Sequence, residues 1–146
     1  MIVYKKLAPG DEFDFVKLVK VFDEVFENEI PSTLQATDLK TLLAKTDFMC
    51  FVAMHDNEVV GGVTAYEMYS YYSAQSEAYI YDLAVKKDFH RRGIGKELIA
   101  TLSSYCQSKN MKTLFVEAHE EDEEAVVFYR NIGGHSEKVV HFNFIL

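Results

Sequence analysis

Cysteine is almost missing from the 146 residues: there are two, Cys50 and Cys106. They are too few and too far apart for a disulfide framework or a zinc site. Long apolar runs are missing as well. Charge interrupts each one well short of the ~20 residues that a membrane span needs, so no membrane partner is expected. The opening MIVYKKLAPGDEF has no basic region leading into an apolar stretch. No secretory signal is therefore expected, and a reduced, cytoplasmic setting follows. Positive charge is scarce, with 15 basic against 23 acidic residues and a formal net charge of −8. Binding a nucleic-acid backbone requires a basic face, which argues against nucleic acid as a partner. The acidic balance suits a cationic ligand, and it equally suits plain solubility. Repeats, linkers and low-complexity tracts are absent. Two phosphate-binding signatures are absent too: there is no GxxxxGK followed by Ser or Thr, and no GxGxxG, because Gly95 runs into KELIA without a third glycine.

What is present is core-forming material. Apolar residues make up 49% of the chain, and 9 Tyr with 11 Phe rule against disorder. The length suits one domain, residues 1–146, with a sizeable core. MIVYKKL reads as a first strand. Phe15, Leu18, Val19, Phe22, Val25 and Phe26 then recur at helical spacing, and FENE and Pro31 close that helix. A second helix fits Asp38 to Lys45. DFMCFVAM is apolar on both faces, as in a strand covered from both sides. HDNE turns it into EVVGGVTAYEMYSY as a hairpin. YIYDLAV is a strand, and Ile94, Leu98, Ile99, Leu102, Tyr105 and Cys106 mark a long amphipathic helix. KTLFVEAH is a strand, EEAVVFYRNIGG a helix ended by glycine, and EKVVHFNFIL a last strand. The order βααβββαβαβ predicts an α/β sandwich: a mixed, mostly antiparallel sheet with helices on both faces.

Chemistry concentrates in YIYDLAVKKDFHRRGIGKEL, where a strand meets a basic, glycine-punctuated turn that opens a helix. A helix's first turn has N–H groups without internal partners, and its dipole favours negative charge. Gly93 and Gly95 remove side chains that would hold phosphate oxygens away from those groups. His90, Arg91, Arg92 and Lys96 add positive or potentially positive charge. Glycine spacing alone would equally fit a turn with a solvated basic patch.

The unit YDLAV…HRRGIGKEL resembles the signature of the GNAT superfamily of acetyl-CoA-dependent N-acetyltransferases. That pattern has Gln or Arg, two residues, Gly, one residue, then Gly or Ala; His90 departs from it at the first position. AVVFYRNIGG resembles the superfamily's second helix, with Tyr129 at its tyrosine and Asp122 where Asn is common. The resemblance implies acetyl-CoA (CoA) as cofactor. Leu83, Ala84 and Val85 would meet its pantetheine arm, and the backbone of Arg91, Arg92, Gly93, Ile94, Gly95 and Lys96 its diphosphate, with His90 and Asp122 alongside. A backbone N–H near Leu83 would act as an oxyanion donor.

Acetyl transfer needs a neutral amine, and a lysine-like amine with pKa ~10.4 is largely protonated at pH 7. A base must accept its proton, and the departing thiolate needs one. By resemblance Tyr129 is the acid; a core tyrosine in the AVVFY run is the other reading. Strand alternation puts Asp82 on the face of Ile80 and Ala84, opposite Tyr81, Leu83 and Val85. There it anchors an amine or serves as base, or else it is an acid satisfied by local backbone donors. EAYIYDLAV, EEDEE and VVHFNF further resemble the GNAT-type aminoglycoside 3-N-acetyltransferases, gentamicin-modifying enzymes of antibiotic resistance. The implied partner is a cationic small-molecule amine, an aminoglycoside, held by carboxylates. Glu77 and Asp82 lead that set, with Glu24, Glu27, Glu29 and Glu120 to Glu124 as further candidates. The acids before AVVFY would equally offset a helix dipole. Tyr69, Tyr71 and Tyr72 could line a sugar wall or simply coat a turn, and His141 is a secondary base or a packed strand histidine. The rival readings are acetylation of a polyamine or another cationic amine, and a non-catalytic acyl-CoA-binding module. The aromatic final strands suit a homodimer.

Overall fold

Two alternating apolar faces, and helices with one apolar stripe each, dictate a layered arrangement in which the sheet is the middle layer. The computed structural model describes residues 1–146. It divides into two compact units, Met1–Val116 and Glu117–Leu146.

In the first unit, β1 (Ile2–Lys6), β2 (Phe48–His55), β3 (Glu58–Met68), β4 (Glu77–Val85) and β5 (Thr113–Val116) form one sheet in chain order. Neighbours are antiparallel except β4 and β5, which are parallel. A parallel pair needs a crossover, and α3 (Ile94–Ser108) supplies it. The β2–β3 connection is the two-residue turn expected at HDNE. Asp56 and Asn57 adopt φ of 49° and 65°, the geometry whose twist matches a hairpin.

The expected stripe builds α1 (Glu12–Val25), which buries Phe15, Leu18, Val21 and Phe22. The second helix, α2 (Ala36–Leu43), begins two residues earlier than its apolar pattern suggested. The Gln35 N–H donates to the Asp38 carboxylate at 2.9 Å, which caps an extra half-turn. Together α1 and α2 cover one sheet face with Phe48, Cys50, Val52, Val59 and Ala84. The other face packs Met49, Phe51, Ala53, Val63 and Ile80 against Ile94, Leu98 and Leu102 of α3. That is why β2 is apolar on both sides. The α1 layer sits close on β3: a β-carbon on Gly62 would lie 2.5 Å from Leu18 Cδ1 and 2.7 Å from the Phe51 carbonyl oxygen. Both thiols are buried and burial pushes both up, so neither is a nucleophile.

In the second unit, α4 (Glu123–Asn131) starts where the Asp122 carboxylate accepts the Ala125 N–H at 3.1 Å. Gly133, at φ 101°, turns the chain after it. The segment EKVVHFNFIL was expected as a final strand, and the structure corrects this. Residues 137–146 belong to no ladder, and the sheet has five strands rather than six. A strand pattern creates a strand only where a neighbouring edge meets it. No helix is long and apolar enough to cross a membrane.

Candidate functional site

The turn after β4 holds unusual backbone geometry. Lys87–Phe89 form one 3₁₀ turn, and His90 Nε2 lies 2.6 Å from the Val85 carbonyl oxygen, which ties the turn back to the strand end. Arg91 has φ 59° and Gly93 φ 76°. The left-handed Gly93 is the residue before α3, and nothing lies within 4 Å of where its β-carbon would be. The first helical bond runs from the Glu97 N–H to the Gly93 carbonyl at 3.0 Å. The N–H groups of Ile94, Gly95 and Lys96 precede it and have no partner within the helix. Arg91, Arg92 and Lys96 are exposed around them, and the Arg92 guanidinium stacks on Phe89 at 4.8 Å. This is a concave row of amide hydrogens ringed by cationic side chains, the chemistry of a diphosphate cradle.

Beside it, β4 is open. Its pairing with β5 ends at Ile80↔Val116, so Tyr81 to Val85 are paired with β3 alone. The Lys86 N–H donates to the Val60 carbonyl at 2.8 Å. By the two-residue alternation of an antiparallel ladder, Ala84 also addresses β3 while Leu83 and Val85 turn their backbone groups outward. Leu83 and Val85 therefore present backbone groups that neither β3 nor β5 uses. Ala84 does not, because it is buried among α1 and α2 and its backbone belongs to the ladder.

Asp82 sits in this open segment, but its face differs from the simple alternation. Thr64 pairs with Asp82 and Ala65 with Ile80, which leaves Tyr81 as an extra, bulged residue. A one-residue slip exchanges the faces. Ile80, Leu83 and Val85 consequently share the α3 side, while Ala84 packs on the α1–α2 side. Asp82, paired with Thr64, shares the Ala84 side and not that of Ile80. It is half-buried there, and burial pushes its carboxyl above the usual range. Aromatic rings accompany it. Tyr66 meets Tyr81 edge-to-face at 5.6 Å and Phe48 at 5.2 Å. Burial raises the Tyr66 phenol, helped by the nearby Tyr81, Asp47 and Asp82. Tyr66, Tyr81 and Asp47 thus form an acidic, aromatic surround for Asp82 that sequence reasoning missed. The signal that could have found them is the bulge, and a bulge leaves no glycine or proline here.

The other expected carboxylates are scattered. Glu77 lies at the far end of β4, roughly 17 Å from Asp82 at the usual strand rise, and is 3.9 Å from the Lys112 ammonium. Glu24 is exposed on α1 beside Lys17, Lys20, Glu58 and Lys86. Glu27 and Glu29 are exposed beyond α1, and Tyr69, Tyr71 and Tyr72 are exposed with the last two rings 4.5 Å apart.

In the second unit Glu120 is exposed and 3.8 Å from Lys138. Glu123 and Glu124 occupy the first turn of α4, where acids offset the dipole. The Asp122 side chain is spent on its cap. Tyr129 is half-buried on α4, its ring edge-to-face with Phe128 at 5.1 Å. His141 is exposed and not in a strand; it contacts Asn143 at 3.0 Å and Glu117 at 3.7 Å.

Residues 15–133 match the acetyltransferase (GNAT) family. An aminoglycoside acetyltransferase from an uncultured soil metagenomic sample, meta-AAC0020, crystallised with sisomicin, superposes with a TM-score of 0.96. It is 38% identical, and the match covers 99% of this chain and 96% of that one. A second soil metagenomic aminoglycoside acetyltransferase, HMB0005, gives 0.94 at 31% identity, over 100% and 99% of the two chains. The [ribosomal protein bS18]-alanine N-acetyltransferase of Salmonella typhimurium is 32% identical over 57 residues. That stretch spans 39% of this chain and 38% of its relative.

Proposed function

The chain belongs to the acetyltransferase (GNAT) family, and from that premise we propose that it N-acetylates an aminoglycoside at its 3-N amine by direct attack of the amine on acetyl-CoA. One observation carries the reading: the edge of β4 that β5 leaves free ends in a cradle of amide hydrogens and has a half-buried carboxylate in its midst.

The residues present fit the cofactor. The Ile94, Gly95 and Lys96 N–H groups, with Arg91 and Arg92, would hold the diphosphate, and the outward backbone of Leu83 and Val85 the pantetheine arm. When bound, acetyl-CoA supplies an acetyl group activated as a thioester. Asp82 does the work toward the amine. Its charge attracts the ammonium, and its raised proton affinity suits it to accept the proton that frees the nitrogen lone pair. The rings of Tyr66 and Tyr81 partly exclude water and offer their faces to a cationic sugar. Tyr129 serves as the acid that returns a proton to the leaving thiolate. We take both units as one acetyltransferase domain, since the family match runs across residue 116. We place the protein in the cytoplasm, where acetyl-CoA is made and thiols stay reduced.

The aminoglycoside rests on the two metagenomic structures above 30% identity, and the 3-N position on the EAYIYDLAV, EEDEE and VVHFNF resemblance. Thiol release from acetyl-CoA should be fast with gentamicin and sisomicin and slow with spermidine or a peptide amine, and NMR of the product should show 3-N-acetylation. Expression in a susceptible host should raise gentamicin tolerance. Preferential turnover of an alanine-bearing peptide, the class of substrate in the Salmonella relative's name, would overturn the substrate assignment and leave the family intact.

A further inference from the structure

The turn between β4 and α3 has little main-chain bonding of its own. The Phe89 N–H donates to the Lys86 carbonyl at 2.9 Å, and the His90 N–H to the Lys87 carbonyl at 3.1 Å. Main-chain bonding then lapses: Arg91, Arg92 and Gly93 donate none, and the next bond is that of Glu97 to Gly93. Inside this gap lie the left-handed Arg91, at φ 59°, and Gly93, at φ 76°. Left-handed backbone is costly at an arginine and persists only where the surroundings determine it.

Two side chains are placed to determine it. The Phe89 ring packs on the α3 side of the core, 5.4 Å from the His55 ring, and carries the Arg92 guanidinium on its face. His90 does the rest with a hydrogen bond. Its Nε2 lies 2.6 Å from the Val85 carbonyl oxygen, one of the β4 groups that no strand uses. A carbonyl oxygen only accepts, so Nε2 carries the hydrogen and donates it. The residue that makes this bond immediately precedes the left-handed Arg91.

We infer that His90 is a positioning residue for the coenzyme. Its Nε2–H clamps the turn to the end of β4, and so holds the Arg91 bend in the conformation that points the Ile94, Gly95 and Lys96 N–H groups toward one anion. The donated hydrogen does this work, not the charge or the bulk of the ring. Without it the turn samples other bends, and affinity falls by the fraction of molecules whose cradle is assembled. The inference rests on the turn being the diphosphate cradle, and it needs no particular amine.

Titration calorimetry of the full chain with CoA separates hydrogen, charge and bulk. His90→Phe keeps a ring of similar shape and removes the donor, and Kd for CoA should rise roughly tenfold, about the worth of one ordinary hydrogen bond. His90→Gln has neither ring nor charge but keeps an N–H donor at similar reach, and it should recover most of that loss. NMR of the parent's histidine rings checks the bond without any variant: the His90 Nε2 should carry a proton. His90→Phe that binds CoA as tightly as the parent overturns the inference and leaves the cradle standing, even where its melting temperature falls. So does His90→Gln that binds as poorly as His90→Phe, or a parent ring whose Nε2 is bare. A parent that binds no CoA overturns the cradle and the clamp together.

Discussion

At the scale of single residues, Asp82 is where charge and burial are set against each other. Burial holds its carboxyl above the ordinary range, so the folded protein binds that proton more tightly than the unfolded chain does. The ionised group therefore costs stability as pH rises through the folded pKa, and that cost vanishes below the unfolded value of ~3.9. Asp82→Asn should consequently melt at or above the parent temperature near neutral pH, with the difference gone near pH ~3. The same variant should lose turnover by ~10²–10⁴-fold. Calorimetric melting and steady-state assays decide the matter together: a variant that loses stability and keeps its rate makes Asp82 a structural acid. Tyr129→Phe removes one hydroxyl from a half-buried ring, and kcat should fall ~10²–10⁴-fold while KM for the amine holds. An unchanged kcat takes the acid role away from Tyr129. The residues Tyr66, Tyr81 and Asp47 were illegible in the sequence, because their meeting depends on how β3 pairs with β4 and not on any local pattern.

Elements show what periodicity reads well and where it stops. The α1 stripe, the two-sided β2 and the α3 stripe were all visible, because burying one face or two leaves a spacing in the chain. The Gly93 turn was visible for a different reason, since left-handed backbone selects glycine. Gly93→Ala meets no neighbouring atom but keeps φ 76°, so its cost is backbone strain of about 1–2 kcal/mol. Titration calorimetry should show weaker acetyl-CoA binding, and chemical denaturation should show that loss of stability. Gly93→Asn should recover much of both, because Asn tolerates this region. If Gly93→Ala binds acetyl-CoA as tightly as the parent, the turn is not the diphosphate cradle. The bulge at Tyr81 escaped the sequence: one added residue on β4 is defined only against its partner on β3. It also moved Ile80 to the face opposite Asp82 and Ala84.

Across the whole molecule, the net charge of −8 acts on any polycation that approaches. Encounter with a multiply charged amine should be steered, so kcat/KM for gentamicin should fall by roughly tenfold as salt is raised from low to about 0.5 M. A monoamine of similar size should change far less, and equal responses would show that the overall field plays no part in capture. The amino-acid order by itself determined the layer architecture, the glycine turn that opens α3 and the family, because each is written in local spacing: a stripe, a glycine, a helix start. Only the tertiary structure decided which face Asp82 occupies, which carboxylates stay near it and whether the last apolar segment becomes a strand. Those three depend on pairing between residues distant in the chain. A ladder's register, and the presence of a partner edge, are properties of two segments at once and cannot be read from either alone.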